Sequence, residues 1–173
     1  YISGNNTNIT SKSNFTENNA TVGGGMYIEG SNTTVSGSNF IKNNATDGAG
    51  MFISGNNTNV TSGSDFINNT AVNGAGMYIE GSNTLVSGSK FEKNNATING
   101  GGMYIKGNNT NVTSNSNFTA NNATNGAGIF VNGSNTLING SNFKNNNATK
   151  GAVGYIDGSG TDIFTSTFEL NNA

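Results

Sequence analysis

Apolar side chains recur along this chain about every 25 residues, each time between polar residues. Phenylalanine holds one such position in every copy, with steps of 25, 26, 25, 27, 25 and 25 residues. This phenylalanine column consists of Phe15, Phe40, Phe66, Phe91, Phe118, Phe143 and Phe168. Short apolar runs at a fixed period of this length predict a solenoid of stacked coils.

Each copy contains three short candidate strands separated by glycine or asparagine. The first reads Gly-Met-Tyr-Ile or a variant, as at Met26; the second follows a Gly-x-Asn-Thr turn, as at Val35; the third carries the phenylalanine. Three strands in about 25 residues leave no room for a helix. The sequence therefore predicts an all-β fold, a single-stranded parallel β-helix of about seven coils that spans residues 1–173 as one segment.

Variation between copies indicates which face of the first strand meets water. Two positions after the aromatic residue stand Glu29, Ser54 and Lys106, a mixture that only an outer face tolerates. Met26 and Ile28 then point inward, and the aromatic residues form an outward column. This aromatic column consists of Tyr1, Tyr27, Phe52, Tyr78, Tyr104, Phe130 and Tyr155. We expect it either to reinforce the sheet by stacking or to present a flat apolar strip to a protein or a sugar.

Asparagine follows each phenylalanine of the column by three residues in all seven copies. This asparagine column consists of Asn18, Asn43, Asn69, Asn94, Asn121, Asn146 and Asn171. Asparagine tolerates the left-handed backbone conformation, and its amide can bond to the same residue one coil away. We expect a structural ladder at this corner. The turn glycines before Asn-Thr, such as Gly30 and Gly55, are expected to need a positive φ.

The composition excludes several classes of function. The chain has no histidine and no cysteine, 9% charged residues and a formal net charge of -2. Such a surface has no electrostatic attraction for nucleic acid or for an anionic membrane, and no apolar run is long enough to insert into a bilayer. The nine acidic residues are scattered and form no calcium repeat. We therefore predict that the chain is not an enzyme and has neither a metal site nor a cofactor.

Asn-x-Ser/Thr sequons, the acceptor sequence for N-glycosylation, occur seventeen times. Five of them share the sequence Asn-Ala-Thr and are candidate glycosylation sites of an exported chain: Asn19, Asn44, Asn95, Asn122 and Asn147.

Phe40-x-x-Asn43, followed by alanine and a glycine-rich turn into Met51 and Phe52, resembles the polymorphic outer-membrane protein repeat. Asparagine-rich versions of this repeat resemble adhesin-like surface proteins of methanogenic archaea, and the resemblance covers all seven copies. It implies a right-handed β-helix, exposed on a cell surface and used for attachment. One feature differs from the family: the turn reads Gly-Ala-Gly before Met51. We expect the translocating barrel or anchor of such proteins to lie outside this segment.

The sequence thus favours a noncatalytic, extracellular stalk that binds a cell-surface protein or a glycan receptor. We expect it to be a segment of a longer solenoid, without caps at either end. The alternative is a subunit of an extracellular filament, in which copies of the chain bind end to end. Ice binding and glycan binding by the β-helix are minor alternatives.

Overall fold

The computed structural model describes residues 1–10 and 12–173, which form a parallel β-solenoid. Residues one repeat apart pair in register: Phe66 pairs with Phe40 on one side and with Phe91 on the other. Successive copies of the repeat therefore lie directly over one another. The predicted all-β parallel fold, with coils of about 25 residues and three strands per coil, is confirmed. Seven copies correspond to about six complete turns, from Phe15 to Phe168.

The three predicted strands of each coil build three sheets that run along the solenoid axis. Sheet 1 contains β3 (Met26–Ile28), β6 (Met51–Ile53), β10 (Met77–Ile79), β14 (Met103–Ile105), β18 (Ile129–Val131) and β22 (Gly154–Ile156). Sheet 2 contains β1 (Asn8–Ile9), β4 (Thr34–Ser36), β7 (Asn59–Thr61), β11 (Leu85–Ser87), β15 (Asn111–Thr113), β19 (Leu137–Asn139) and β23 (Asp162–Phe164). Sheet 3 contains β2 (Asn14–Thr16), β5 (Asn39–Ile41), β8 (Asp65–Ile67), β12 (Lys90–Glu92), β16 (Asn117–Thr119), β20 (Asn142–Lys144) and β24 (Thr167–Glu169).

A fourth sheet was not predicted. Sheet 4 contains β9 (Thr70–Asn73), β13 (Asn95–Asn99), β17 (Asn122–Asn125) and β21 (Asn147–Lys150). Each of these strands lies in the Asn-Ala-Thr segment or its equivalent, with the alanine buried. In β13, β17 and β21 the residues on both sides of the alanine are exposed. The extra residue of the 27-residue step forms a bulge in β13, and it leaves Ile98 45% exposed.

The interior consists of columns of like side chains. Phe40, Phe66, Phe91 and Phe118 are completely buried, and their rings stack with centroids 4.7 to 4.8 Å apart and planes within 6° of parallel. Methionine, isoleucine and valine columns from sheets 1 and 2 complete the main core. The alanines of sheet 4 and of the following turn form a second, smaller core. No single coil could bury these side chains alone, so each coil depends on its neighbours.

The asparagine column forms a saturated ladder. Nδ2 of Asn94 donates to Oδ1 of Asn121 at 3.0 Å and to the carbonyl oxygen of Phe66 at 2.9 Å. Oδ1 of Asn94 accepts from the backbone N and from Nδ2 of Asn69, both at 3.0 Å. These four bonds use both hydrogens of the amide nitrogen and both lone pairs of the oxygen. Although the Asn94 side-chain amide is completely buried, all its donors and acceptors are therefore satisfied.

At the corners, the residues with a left-handed backbone are not those that the sequence predicted. The residue before each ladder asparagine, such as Lys93 or Ala120, has the positive φ, with values of 54° and 55°. At the Asn-Thr turn the asparagine, as at Asn57, is left-handed and the glycine is not, so the expected positive φ of Gly30 and Gly55 is wrong. Glycine is required there because a Cβ on Gly55 would collide with the carbonyl oxygen of Gly30.

Candidate interaction surfaces

The aromatic column lies on the outer face of sheet 1, opposite Met and Ile residues that point into the core. Phe52, Tyr78 and Tyr104 occupy consecutive coils in register. Ring centroids of neighbouring members lie 4.6 to 5.2 Å apart along the whole column, in a mixture of stacked and edge-on arrangements. The rings therefore contact one another without a break.

Little of this column is open to solvent. Phe52, Tyr78 and Phe130 are only 8%, 9% and 7% exposed, whereas Tyr1 is 76% exposed. Phe52, Tyr78 and Phe130 therefore offer little apolar surface, whereas Tyr27 and Tyr104 are half-buried. Whether the column binds a protein or a sugar stays a prediction. The turn between sheet 4 and sheet 1 lies against the base of the Tyr78 side chain. Gly74, at φ 59°, approaches so closely that a Cβ would lie 2.9 Å from the Cβ of Tyr78.

The enclosure of the column alters two phenol groups. Burial raises the pKa of Tyr78 far above its ordinary value, and the neighbouring Tyr104 phenol, Glu80 and Asp47 add to the rise. Burial also raises the pKa of Tyr104, although Lys106 opposes this effect. Both phenols are protonated at neutral pH, so they act as neutral hydrogen-bonding groups within the column.

The five predicted glycosylation sites lie on the exposed face of sheet 4 and its extensions. There the asparagines of successive coils bond to one another: Nδ2 of Asn44 donates to Asn19 at 3.0 Å, and Nδ2 of Asn147 donates to Asn122 at 3.0 Å. Nδ2 of Asn122 donates to Asn95 at 2.8 Å. Thr70 takes the place of an asparagine below Asn95 and interrupts this ladder. Whether sugars are attached here stays a prediction.

The outer face of sheet 2 alternates between two kinds of coil. Asn59 pairs with Leu85, Leu85 with Asn111, and Asn111 with Leu137. The asparagines are exposed and the leucines are half-buried. The outer face of sheet 2 therefore repeats every two coils.

Charged side chains pair with each other on the surface. Lys42 Nζ lies 3.3 Å from Glu17 Oε1, and Lys144 Nζ lies 3.0 Å from Glu169 Oε2. Lys90 donates to Glu92 and lowers the pKa of that carboxyl. Burial raises the pKa of the adjacent Asp65, against the attraction of Lys90. Among residues 1–10 and 12–173, no three His, Cys, Asp or Glu side chains are grouped as a metal site would require.

The fold and these surfaces define a parallel β-solenoid repeat protein with asparagine and aromatic columns. In the part of the chain described, no helix is long and apolar enough to cross a membrane. Comparisons with protein-family models, with curated proteins and with solved structures found no match.

Proposed function

We propose that the chain is a noncatalytic, rigid stalk of an extracellular, adhesin-like surface protein. The observation that carries this proposal is the continuity of the columns along the axis. Every buried asparagine from Asn43 to Asn146 bonds to the coils before and after it. Seven coils spaced by about 4.8 Å make a rod about 34 Å long.

The direction of the hydrogen bonds suits this role. In a β-solenoid the bonds between strands run along the axis, so tension between the two ends is shared by all the bonds that join one coil to the next. Stacked phenylalanine rings and the asparagine ladder add side-chain contacts in the same direction. A surface of amides and hydroxyls with few charges suits a spacer that meets many molecules outside the cell without binding them through charge.

A deletion of two coils in register separates a stalk from a local binding surface. Removing residues 56–107 joins Gly55 to Asn108, which takes the place of the equivalent Asn56, and shortens the rod by about 9.6 Å. If the chain is a stalk, the shortened protein keeps its fold and its place on the cell surface. Cells that carry it then still attach to their target under flow. Complete loss of attachment, with the fold and surface location intact, would show that the removed coils hold the binding site. A chain found only inside the cell contradicts the proposal outright.

Self-assembly into a filament is the second candidate. The near identity of the coils supports it, because the edge of one coil is complementary to the edge of another. A head-to-tail contact of this kind does not close into a ring, so it extends as a filament. Electron microscopy of the purified chain at rising concentration tests it. Fibres with an axial repeat near 34 Å would favour the filament, and discrete particles at all concentrations would exclude it.

A further inference from the structure

We propose that the outer face of sheet 2 carries N-linked glycans on alternate coils, at Asn8, Asn59 and Asn111. This inference rests on the proposed function, because the sugar is attached only to a chain that enters an export pathway. It moves glycosylation away from the Asn-Ala-Thr sequons of sheet 4, and four observations lead to it.

The sequons on sheet 2 present both of their recognition groups outward. In Asn59-Val60-Thr61 the valine is completely buried, the asparagine is exposed and the threonine is half-buried. Asn111-Val112-Thr113 has the same pattern. The sequons in the preceding turn differ, since Thr58 and Thr110 are completely buried. Sheet 2 therefore offers the amide and the hydroxyl group together.

The amides of Asn59 and Asn111 have no hydrogen-bond partner among the described residues, and both side chains are exposed. On sheet 4, by contrast, Nδ2 of Asn44 and of Asn122 already donates to the asparagine one coil before. A sugar on Nδ2 replaces one of its two hydrogens, so the ladder on sheet 4 could continue only through the hydrogen that remains. Sheet 2 can accept the sugar without losing a hydrogen bond.

The spacing also favours sheet 2. Consecutive coils are about 4.8 Å apart, less than the width of a sugar ring, so neighbouring sequons cannot all be occupied. Asn122 has a sequon asparagine on each side, at Asn95 and Asn147. Asn59 and Asn111 are separated by the coil of Leu85, which gives about 9.6 Å between attachment points.

Leucines in the same column provide the fourth observation. Leu85 and Leu137 are half-buried apolar residues on an otherwise polar face, directly on either side of Asn111. One face of a pyranose ring consists mainly of C–H groups, which can cover an aliphatic side chain and remove it from water. A sugar on Asn111 therefore accounts for leucines that the fold alone does not require.

The attachment is a substitution at the anomeric carbon of a donor whose sugar is joined to a phosphate leaving group. The bond from Asn Nδ2 to that carbon forms as the carbon–oxygen bond to phosphate breaks. The phosphate leaves with the bonding electron pair, and a base of the transferase takes one amide proton. Nδ2 keeps its second hydrogen, and Oδ1 remains an acceptor.

Peptide mapping by mass spectrometry of the full protein, purified from the cells that produce it, tests the assignment. Two matched double variants, N59Q/N111Q and N44Q/N122Q, are compared by intact mass, with circular dichroism as the control for folding. We expect the first pair to lower the mass by two glycans and the second to leave it unchanged. Protease accessibility on intact cells reports the location of the chain in the same samples.

The outcomes separate this inference from the proposed function. A surface-exposed chain without sugars, or with sugars only on sheet 4, overturns the inference and leaves the stalk standing. An intracellular chain without sugars overturns both. A further variant, Leu85→Asn, tests the spacing, because it places a third sequon asparagine between Asn59 and Asn111. We expect occupancy of these two sites to fall relative to Leu85→Ser, and full occupancy of all three positions would refute the spacing argument.

Discussion

Replacing Asn94 with Asp tests the buried ladder while changing the shape of one side chain very little. Asn94 is completely buried, and its Nδ2 donates to Asn121 and to the carbonyl oxygen of Phe66. Asp keeps the oxygen that accepts from Asn69 but replaces the nitrogen by a second oxygen. Two hydrogen bonds become contacts between oxygen atoms, deep in the solenoid.

The expected loss follows from these contacts. Two buried acceptors each lose one donor, although Asn121 Oδ1 keeps its bond from the backbone N of Asn94. At about 1–3 kcal/mol for each lost bond, the variant loses up to about 2–6 kcal/mol before any cost of burying a charge. Asn95→Asp is the matched control, since it adds the same charge at the next residue. Asn95 is exposed, and its Oδ1 still accepts from Asn122 at 2.8 Å. We expect that control to lie within about 0.5 kcal/mol of the parent.

Denaturation by urea, followed by circular dichroism at several pH values, measures both variants. Burial raises the pKa of the carboxyl that Asn94→Asp introduces above the value of about 3.9 that it has in the unfolded chain. The loss of stability is therefore greatest above the folded-state pKa and shrinks as the pH falls through it, because a protonated carboxyl can again donate one bond. Equal stability of the two variants at pH 7 would refute the ladder as a source of stability.

Three further changes test other columns. Gly154→Met fills a partly open apolar pocket of about 110 Å³ where the methionine column is interrupted. It should stabilise the fold by less than the about 2.6 kcal/mol that a closed cavity of this volume represents at about 24 cal/mol per Å³, since Ile156 and Ile163 beside it are exposed. Gly102→Ala should destabilise the fold, since the Cβ would lie 2.6 Å from the Gly128 oxygen. Thermal denaturation compares the stability of these two variants with that of the parent. Phe91→Ala should cost about 3–5 kcal/mol in guanidinium denaturation, because the ring is completely buried. Tyr78→Phe should remove the last step of the phenol titration in ultraviolet absorbance. It should also lessen the loss of stability above about pH 10, because a phenol whose pKa is raised by folding favours the folded state only while it is protonated.

The register of the fold could be predicted because each coil contacts mainly its neighbours. Once Phe66 is placed over Phe40, the nearly constant spacing of the other repeats fixes the remaining columns. The ladder of Asn94 follows from the same register, since identical amides on adjacent coils lie within hydrogen-bonding distance. Alternation along each strand then separates buried Met77 from outward Tyr78.

The sequence did not reveal where the chain turns between strands. Lys93 and Ala120 occupy equivalent left-handed positions although neither residue favours that conformation, so their φ is set by the ladder on either side. The burial of Tyr78 depends partly on the path of the chain at Gly74, which lies against the Tyr78 Cβ and which periodicity does not encode. Outward orientation in a strand was therefore a poor guide to exposure.

The hydrogen-bond acceptors at the Gly-x-Asn-Thr turn follow the same two-coil period as the proposed glycan sites on sheet 2. At the Gly-x-Asn-Thr turn the backbone N of Ser82 donates to Asn56 Oδ1 at 2.8 Å, whereas that of Asn108 donates to Ser82 Oγ at 3.3 Å. Asparagine and serine thus alternate as acceptors from coil to coil. The coils with asparagine at this turn are the coils that carry Asn59 and Asn111 on sheet 2. A unit of two coils therefore keeps the turn bonds alternating and holds the attachment points about 9.6 Å apart, which a repeat of identical single coils could not do.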